Sequence, residues 1–185
     1  MENAEPTVTV DDLPMKFVVK YLGWEPARGL WGMKHTRKPV DSLVTKARQL
    51  PPDIILPRVS LEVTKNGLSY VDITKKTKQA ESVKFGVNEI SYGVQDLIYT
   101  RIFSMIVVTD KSLDEGLTFI CHSFACDSNN HARQLTYALA AAFENYAQRM
   151  KESKKGMRGR KFAIDLRSPE QQAAQASGDD EETDA

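Results

Sequence analysis

The chain has 185 residues, 41% of them hydrophobic, and its 25 basic residues balance 25 acidic ones, which suits one globular core and lacks the footprint of a dedicated nucleic-acid binder. Two cysteines, Cys121 and Cys126, make no disulfide framework, MENAEP is no secretion signal, and no window approaches the roughly twenty apolar residues that cross a bilayer. A cytoplasmic chain is therefore expected, touching the inner face of the plasma membrane only peripherally if at all.

The ends differ from the middle. Residues 1–14 are acidic and poor in large apolar side chains, and residues 151–185 pass from the basic run KESKKGMRGRK into a polar, acidic stretch. Both are expected to be mostly disordered tails around a folded domain of residues 15–150. MKFVVKYLG (15–23) is rich in β-branched and aromatic residues and ends on glycine, so it predicts a strand, followed by a loop with Pro26, Gly29 and Gly32. KPVDSLVTKARQL then sets Val40, Leu43, Val44, Ala47 and Leu50 at helical spacing, with Pro39 as a helix start and Pro51-Pro52 as a stop.

RVSLEVTKNGLSYVDI alternates Val59, Leu61 and Val63 and predicts a hairpin turning at Asn66-Gly67. ESVKFGV, EISYGVQD, RIFSMIVVT and LTFICHSFA predict further short strands. From residue 128 to 150, Ala132, Leu135, Leu139, Phe143, Tyr146 and Met150 form one apolar stripe on a long helix, with Asp127 or Ser128 as its cap. Strand, helix, six strands and helix predict an α+β fold: an antiparallel sandwich or partly open barrel with the last helix covering an opening.

FVVKYLG, VSLEVTKNGLSYVD, EISYGVQD, IFSMIVV, FICHSFAC and LTYALAAAFENYAQRMK, in that order and spacing, resemble phosphotyrosine-binding (PTB/PID) domains, most of all their Disabled and Numb branch. KPVDSLV after GLWGMKHTR is similar to small phosphotyrosine-interaction-domain adaptors. The resemblance implies a pleckstrin-homology-like fold, a seven-stranded antiparallel β sandwich capped by the C-terminal helix. It also implies a ligand: an Asn-Pro-x-Tyr peptide from a receptor tail, added as an antiparallel strand between the fifth strand and the last helix. A handful of backbone bonds at ~0.5–1.5 kcal/mol net each, with one or two buried side chains, fits micromolar binding, roughly −8 kcal/mol.

By that resemblance Ile90, Ser91, Tyr92, Gly93, Val94, Gln95 and Asp96 form the receiving strand, with alternate residues pointing into the core. Phe143 matches the aromatic that packs on the peptide's Asn-Pro turn, and Leu139 and Tyr146 extend its face, although all three also suit plain core packing. Gly93 weakens a strand and marks either a close backbone approach or a bulge. Members that require phosphate use arginines, one near the start of the seventh strand. Leu117 and Thr118 stand there instead, and Arg101 and Arg133 are poor matches, so phosphate-independent recognition is expected.

Disabled-like domains also bind phosphoinositides. Lys20 corresponds to one of their basic residues, and Lys34, Arg37, Lys38 and Arg58 are candidate neighbours, so a phosphoinositide-binding module is the alternative reading. Solvated lysines at strand ends explain the same residues. Cys121, His122 and Cys126 lie close in sequence, but adjacent strand residues face opposite ways and a metal site needs about four ligands, so neither enzyme chemistry nor a cofactor is expected.

Overall fold

The computed structural model describes residues 8–29, 32–74, 81–110, 117–152 and 163–165. In chain order its regular elements are β1 (Met15–Ala27), α1 (Met33–Arg48), β2 (Arg58–Thr64), β3 (Gly67–Asp72), β4 (Val83–Gly86), β5 (Ile90–Gln95), β6 (Ile102–Asp110), β7 (Leu117–Ala125), α2 (Asn129–Glu152) and β8 (Ala163–Asp165). The sheet order is β4-β3-β2-β1-β7-β6-β5-β8, antiparallel throughout except for the β5–β8 pair.

β1 joins the two halves of this arrangement. Its first part buries Phe17 and Val19 and pairs with β2; its second part pairs with β7, and Lys20 has partners in both. A register shift between Tyr21 and Gly23 lets the strand turn from one partner to the other. Gly23 sits at φ 117, and a Cβ there would lie 3.3 Å from Leu43 Cδ2, so glycine admits both the bend and the approach of α1. The predicted strand therefore runs on through Pro26, which had been expected in a loop.

α1 starts earlier than its proline suggests. Pro39 lies inside the helix, and Gly32 at φ 103 supplies the entry. Thr36, Pro39, Val40, Leu43 and Val44 are all buried on one side of α1. Packing of that face against β1, β6 and β7 outweighs the backbone hydrogen bond that Pro39 forfeits. The β2–β3 hairpin forms as predicted, but Thr64 pairs with Gly67, so Lys65 and Asn66 are the loop. Gly67 opens β3 at φ 149, where a Cβ would collide with the Phe85 carbonyl oxygen of β4.

The sheet buries both faces. On one, Leu135, Ala138, Leu139, Ala142 and Phe143 of α2 pack on Phe17, Leu61, Val63, Ile90, Phe103, Met105 and Phe124. On the other, Val40 and Val44 of α1 pack on Ala27, Tyr92, Val94, Ile102, Ile106 and Cys121. Each large side chain so enclosed contributes roughly 1.5–3 kcal/mol. Ser128 caps α2 as predicted, accepting the His131 N–H at 3.1 Å.

Two segments expected to be tail are part of this structure. Val10–Asp12 forms a short 3₁₀ turn beside α2, Thr9 donates its N–H to the Asp12 carboxylate at 2.8 Å, and Val8 and Leu13 pack on the α2-covered core. Asp11 and Asp12 gave that segment a polar look, yet Val8 and Leu13 carry enough apolar surface to dock it. The second segment is β8. The rest of the predicted tails, residues 1–7, 153–162 and 166–185, lie outside the described residues.

Candidate functional site

β5 is buried at all six positions, Ile90 to Gln95, and Asp96 just beyond it is buried as well. Its alternation is not simple. Ile90 pairs with Val107 and Tyr92 with Ile106, so a bulge falls at Ser91, and beyond it the strand changes the face it presents. Ile90 belongs to the α2-covered core, while Tyr92 and Val94 belong to the α1-covered one, in place of the predicted common direction for all three. Gly93, opposite Met105 of the α2-covered core, thus lies on the face towards α2. The bulge sits two residues before the glycine, so Gly93 does not mark it.

The side chains that follow are structural. Ser91 donates to the Ile106 carbonyl at 3.3 Å, and the Gln95 amide donates to the carbonyls of Thr100 at 2.7 Å and Asn129 at 3.1 Å, tying the β5–β6 connection to the start of α2. Asp96, 3% exposed, accepts the N–H groups of Ile98 at 3.0 Å and Tyr99 at 2.8 Å, and its two carboxylate oxygens share one guanidinium nitrogen of Arg37, Nη1, at 3.2 and 3.3 Å. Arg37 also holds Asp41 at 2.8 Å. The guanidinium carbons of Arg37 and Arg48 stand 5.6 and 5.5 Å from the Tyr99 ring centroid. Asp96, placed by sequence in the receiving strand, is the node that binds α1 to the end of β5.

On α2, Leu139 is fully enclosed and acts as core, Phe143 is 7% exposed, and Tyr146 packs half-buried at the edge of the same cluster. Between this helix and β5 lies β8. Tyr92 pairs with Ala163, Gly93 with Ile164 and Val94 with Asp165, in parallel, and β8 also neighbours α2. Residues 163–165 were missed from sequence because the tail around them is polar. A signal was present: Phe162, Ile164 and Leu166 alternate in KFAIDL.

The basic residues divide. Lys20 is exposed and stands directly opposite Arg58, which is also exposed, on neighbouring strands. Lys34 and Lys38 are exposed on α1, whereas the Arg37 guanidinium is taken up by Asp41 and Asp96. At the start of β7, the Thr118 hydroxyl donates to the Thr109 carbonyl at 3.0 Å. The Arg133 guanidinium lies over the Tyr137 ring, 5.9 Å from its centroid.

Cys121 and Cys126 are both buried free thiols, each pushed up to about 12 by desolvation first, which leaves them protonated and unreactive. His122 is pushed down to about 4 by burial, and Tyr21 Oη shares a hydrogen bond of 2.7 Å with its Nδ1. Burial, then neighbouring Tyr70, raises the Tyr21 phenol. An unfolded histidine titrates near 6.5, so between there and about 4 the unfolded chain binds the extra proton and stability is lost as the pH is lowered. The total reaches roughly 3 kcal/mol. Urea unfolding at about pH 7 and about pH 5 should show wild type losing about 2 kcal/mol more than His122→Phe; equal losses would place the titration elsewhere.

No helix among the described residues is long and apolar enough to cross a membrane. No curated protein matches the chain. Among solved structures it is similar to the C-terminal phosphotyrosine interaction domain of mouse APBB2, with TM-score 0.54 and 23% identity over 78% of this chain and 93% of that one. At that identity the likeness is one of fold, and it agrees with the seven antiparallel strands and the helix after them. The family model for the phosphotyrosine interaction domain (PTB/PID) matches residues 55–153, from just before β2 to the end of α2 and so more than half of the chain. The chain belongs to the PTB/PID family of non-enzymatic protein-interaction modules.

Proposed function

We propose that this protein is a cytoplasmic adaptor whose β5–α2 groove takes an extended Asn-Pro-x-Tyr peptide from a receptor tail or signalling protein as an added strand. The working unit is the folded region from about residue 15 to 150, with Val8 and Leu13 packed onto it. One observation carries the reading: the outer edge of β5 accepts a strand at Tyr92, Gly93 and Val94, beside α2. Backbone pairing there supplies affinity, and the surface of α2 at buried Phe143 and half-buried Tyr146 supplies choice. Thr118, with its hydroxyl already donated to Thr109, supports recognition that needs no phosphate.

Peptides ending in tyrosine, phosphotyrosine or phenylalanine should bind within about threefold of one another by fluorescence polarisation, a spread of about 0.7 kcal/mol. Binding of the phosphotyrosine form alone would overturn the phosphate-independent reading. Gly93→Val puts a branched side chain on the face towards α2. It should weaken peptide binding at least tenfold, about 1.4 kcal/mol, while costing the fold less than that. Equal losses would mean that Gly93 serves the sheet alone. Lys20 opposite Arg58 favours a second reading, a phosphoinositide contact on a separate face. Gly93→Val should leave binding to phosphoinositide vesicles unchanged.

A further inference from the structure

We infer that residues 163–165 are a tethered ligand of the β5–α2 groove, so that an incoming peptide binds by displacing the chain's own strand. The inference rests on the peptide-groove reading above and adds who holds the groove first. β8 takes the backbone edge of β5 that an external strand needs, at Tyr92, Gly93 and Val94, and it neighbours α2 as such a strand would. Two strands cannot share one edge.

The occupant is identified by pairing and by pattern. Phe162, Ile164 and Leu166 alternate within an otherwise polar stretch, the period that an added strand requires. Ten residues, 153–162, separate the end of α2 from β8, and a chain of ten residues spans at most about 35 Å. A connection of that length gives an effective concentration on the order of millimolar.

The hold is built to be weak. Only three residue pairs form, and they are parallel, the slightly less stable arrangement, whereas the peptide expected from the family pairs in the antiparallel sense. A segment with a dissociation constant of about 0.1 mM, held at about 1 mM, lowers the apparent affinity of a competitor about tenfold. It therefore sets a threshold without closing the groove.

The test uses the full chain carrying Ile164→Pro, which removes a backbone donor and fixes φ in β8. Hydrogen exchange at the β5 amides that do not face β6 should quicken at least tenfold, while β6 and α2 stay protected. A synthetic peptide of residues 158–170 at about 1 mM should restore that protection in the variant and do little to wild type. Asn-Pro-x-Tyr peptide should bind the variant about tenfold more tightly than wild type.

Unchanged β5 exchange in Ile164→Pro would overturn the tethered strand whatever the peptide does. So would wild-type protection that vanishes on dilution to monomer, since the strand would then come from a second copy. Faster exchange in the variant, restored by the 158–170 peptide, supports the tethered strand even if neither protein binds Asn-Pro-x-Tyr; that result would sink only the choice of external ligand.

Discussion

Replacing Asp96 with alanine should cost about 3 kcal/mol of unfolding stability, a large loss for a residue just past the end of a strand. The carboxylate is 3% exposed and serves three partners at once: the Arg37 guanidinium and the N–H groups of Ile98 and Tyr99. Removing it orphans two backbone donors in the β5–β6 connection, each worth about 1–3 kcal/mol where water cannot reach. It also leaves Arg37 with Asp41 alone, and because that partner remains, the cost stays at the lower end for a broken buried pair.

Asp96→Asn keeps an acceptor for the two N–H groups and loses only the charge, so about half the loss is expected. Arg37→Met should be costly too, since it strands a buried carboxylate. The double variant should fall short of the sum of the singles by about 1–2 kcal/mol, because the two groups act on one network. Urea midpoints at constant m-value provide the check. A loss below about 1 kcal/mol for Asp96→Ala would show that the node does not hold α1 to β5.

This network also shows where reading the sequence runs out. Strands with clean alternation, such as β2 with Val59, Leu61 and Val63, were legible because one face of each meets core and the other does not. α2 was legible for the same reason, its stripe from Ala132 to Phe143 being buried throughout. Asp96 was misassigned because a resemblance aligns positions and does not reveal which side chains are consumed in holding the frame. Its partner Arg37 is 59 residues away, and nothing local pairs them.

The β5 alternation failed for a different reason. One bulge at Ser91 reverses the faces beyond it, and a bulge is created by pairing with β6, so it leaves no trace in β5 itself. Pro39 was misread because a helix start preferred by propensity lost to the packing of Val40, Leu43 and Val44. β8 is the most instructive omission. The alternation of Phe162, Ile164 and Leu166 is a short signal in a polar tail, and only the tertiary structure brings β5 and α2 to residues 163–165.

Phe143→Ala should act twice, on the fold and on the ligand, and the two effects can be separated. Phe143 is 7% exposed and packs in one cluster with Leu135, Leu139 and Ala142, so its truncation should cost about 3–4 kcal/mol of stability. If its ring also receives the peptide, affinity measured on the folded protein should fall at least tenfold, about 1.4 kcal/mol. Phe143→Leu keeps most of the apolar volume, costs the fold roughly 1–2 kcal/mol, and still removes the flat ring that a peptide turn would stack against. Leu139→Ala is the contrast: fully enclosed, it should cost a similar 3–4 kcal/mol yet leave peptide affinity of the folded protein unchanged. Tyr146→Ala, at the half-buried rim, should do the reverse, with little loss of stability and several-fold weaker binding. Denaturation midpoints and polarisation titrations on the same samples distinguish these outcomes. If Phe143→Leu binds as wild type does, the ring is core alone, and the choice of peptide must be made by the rim around Tyr146.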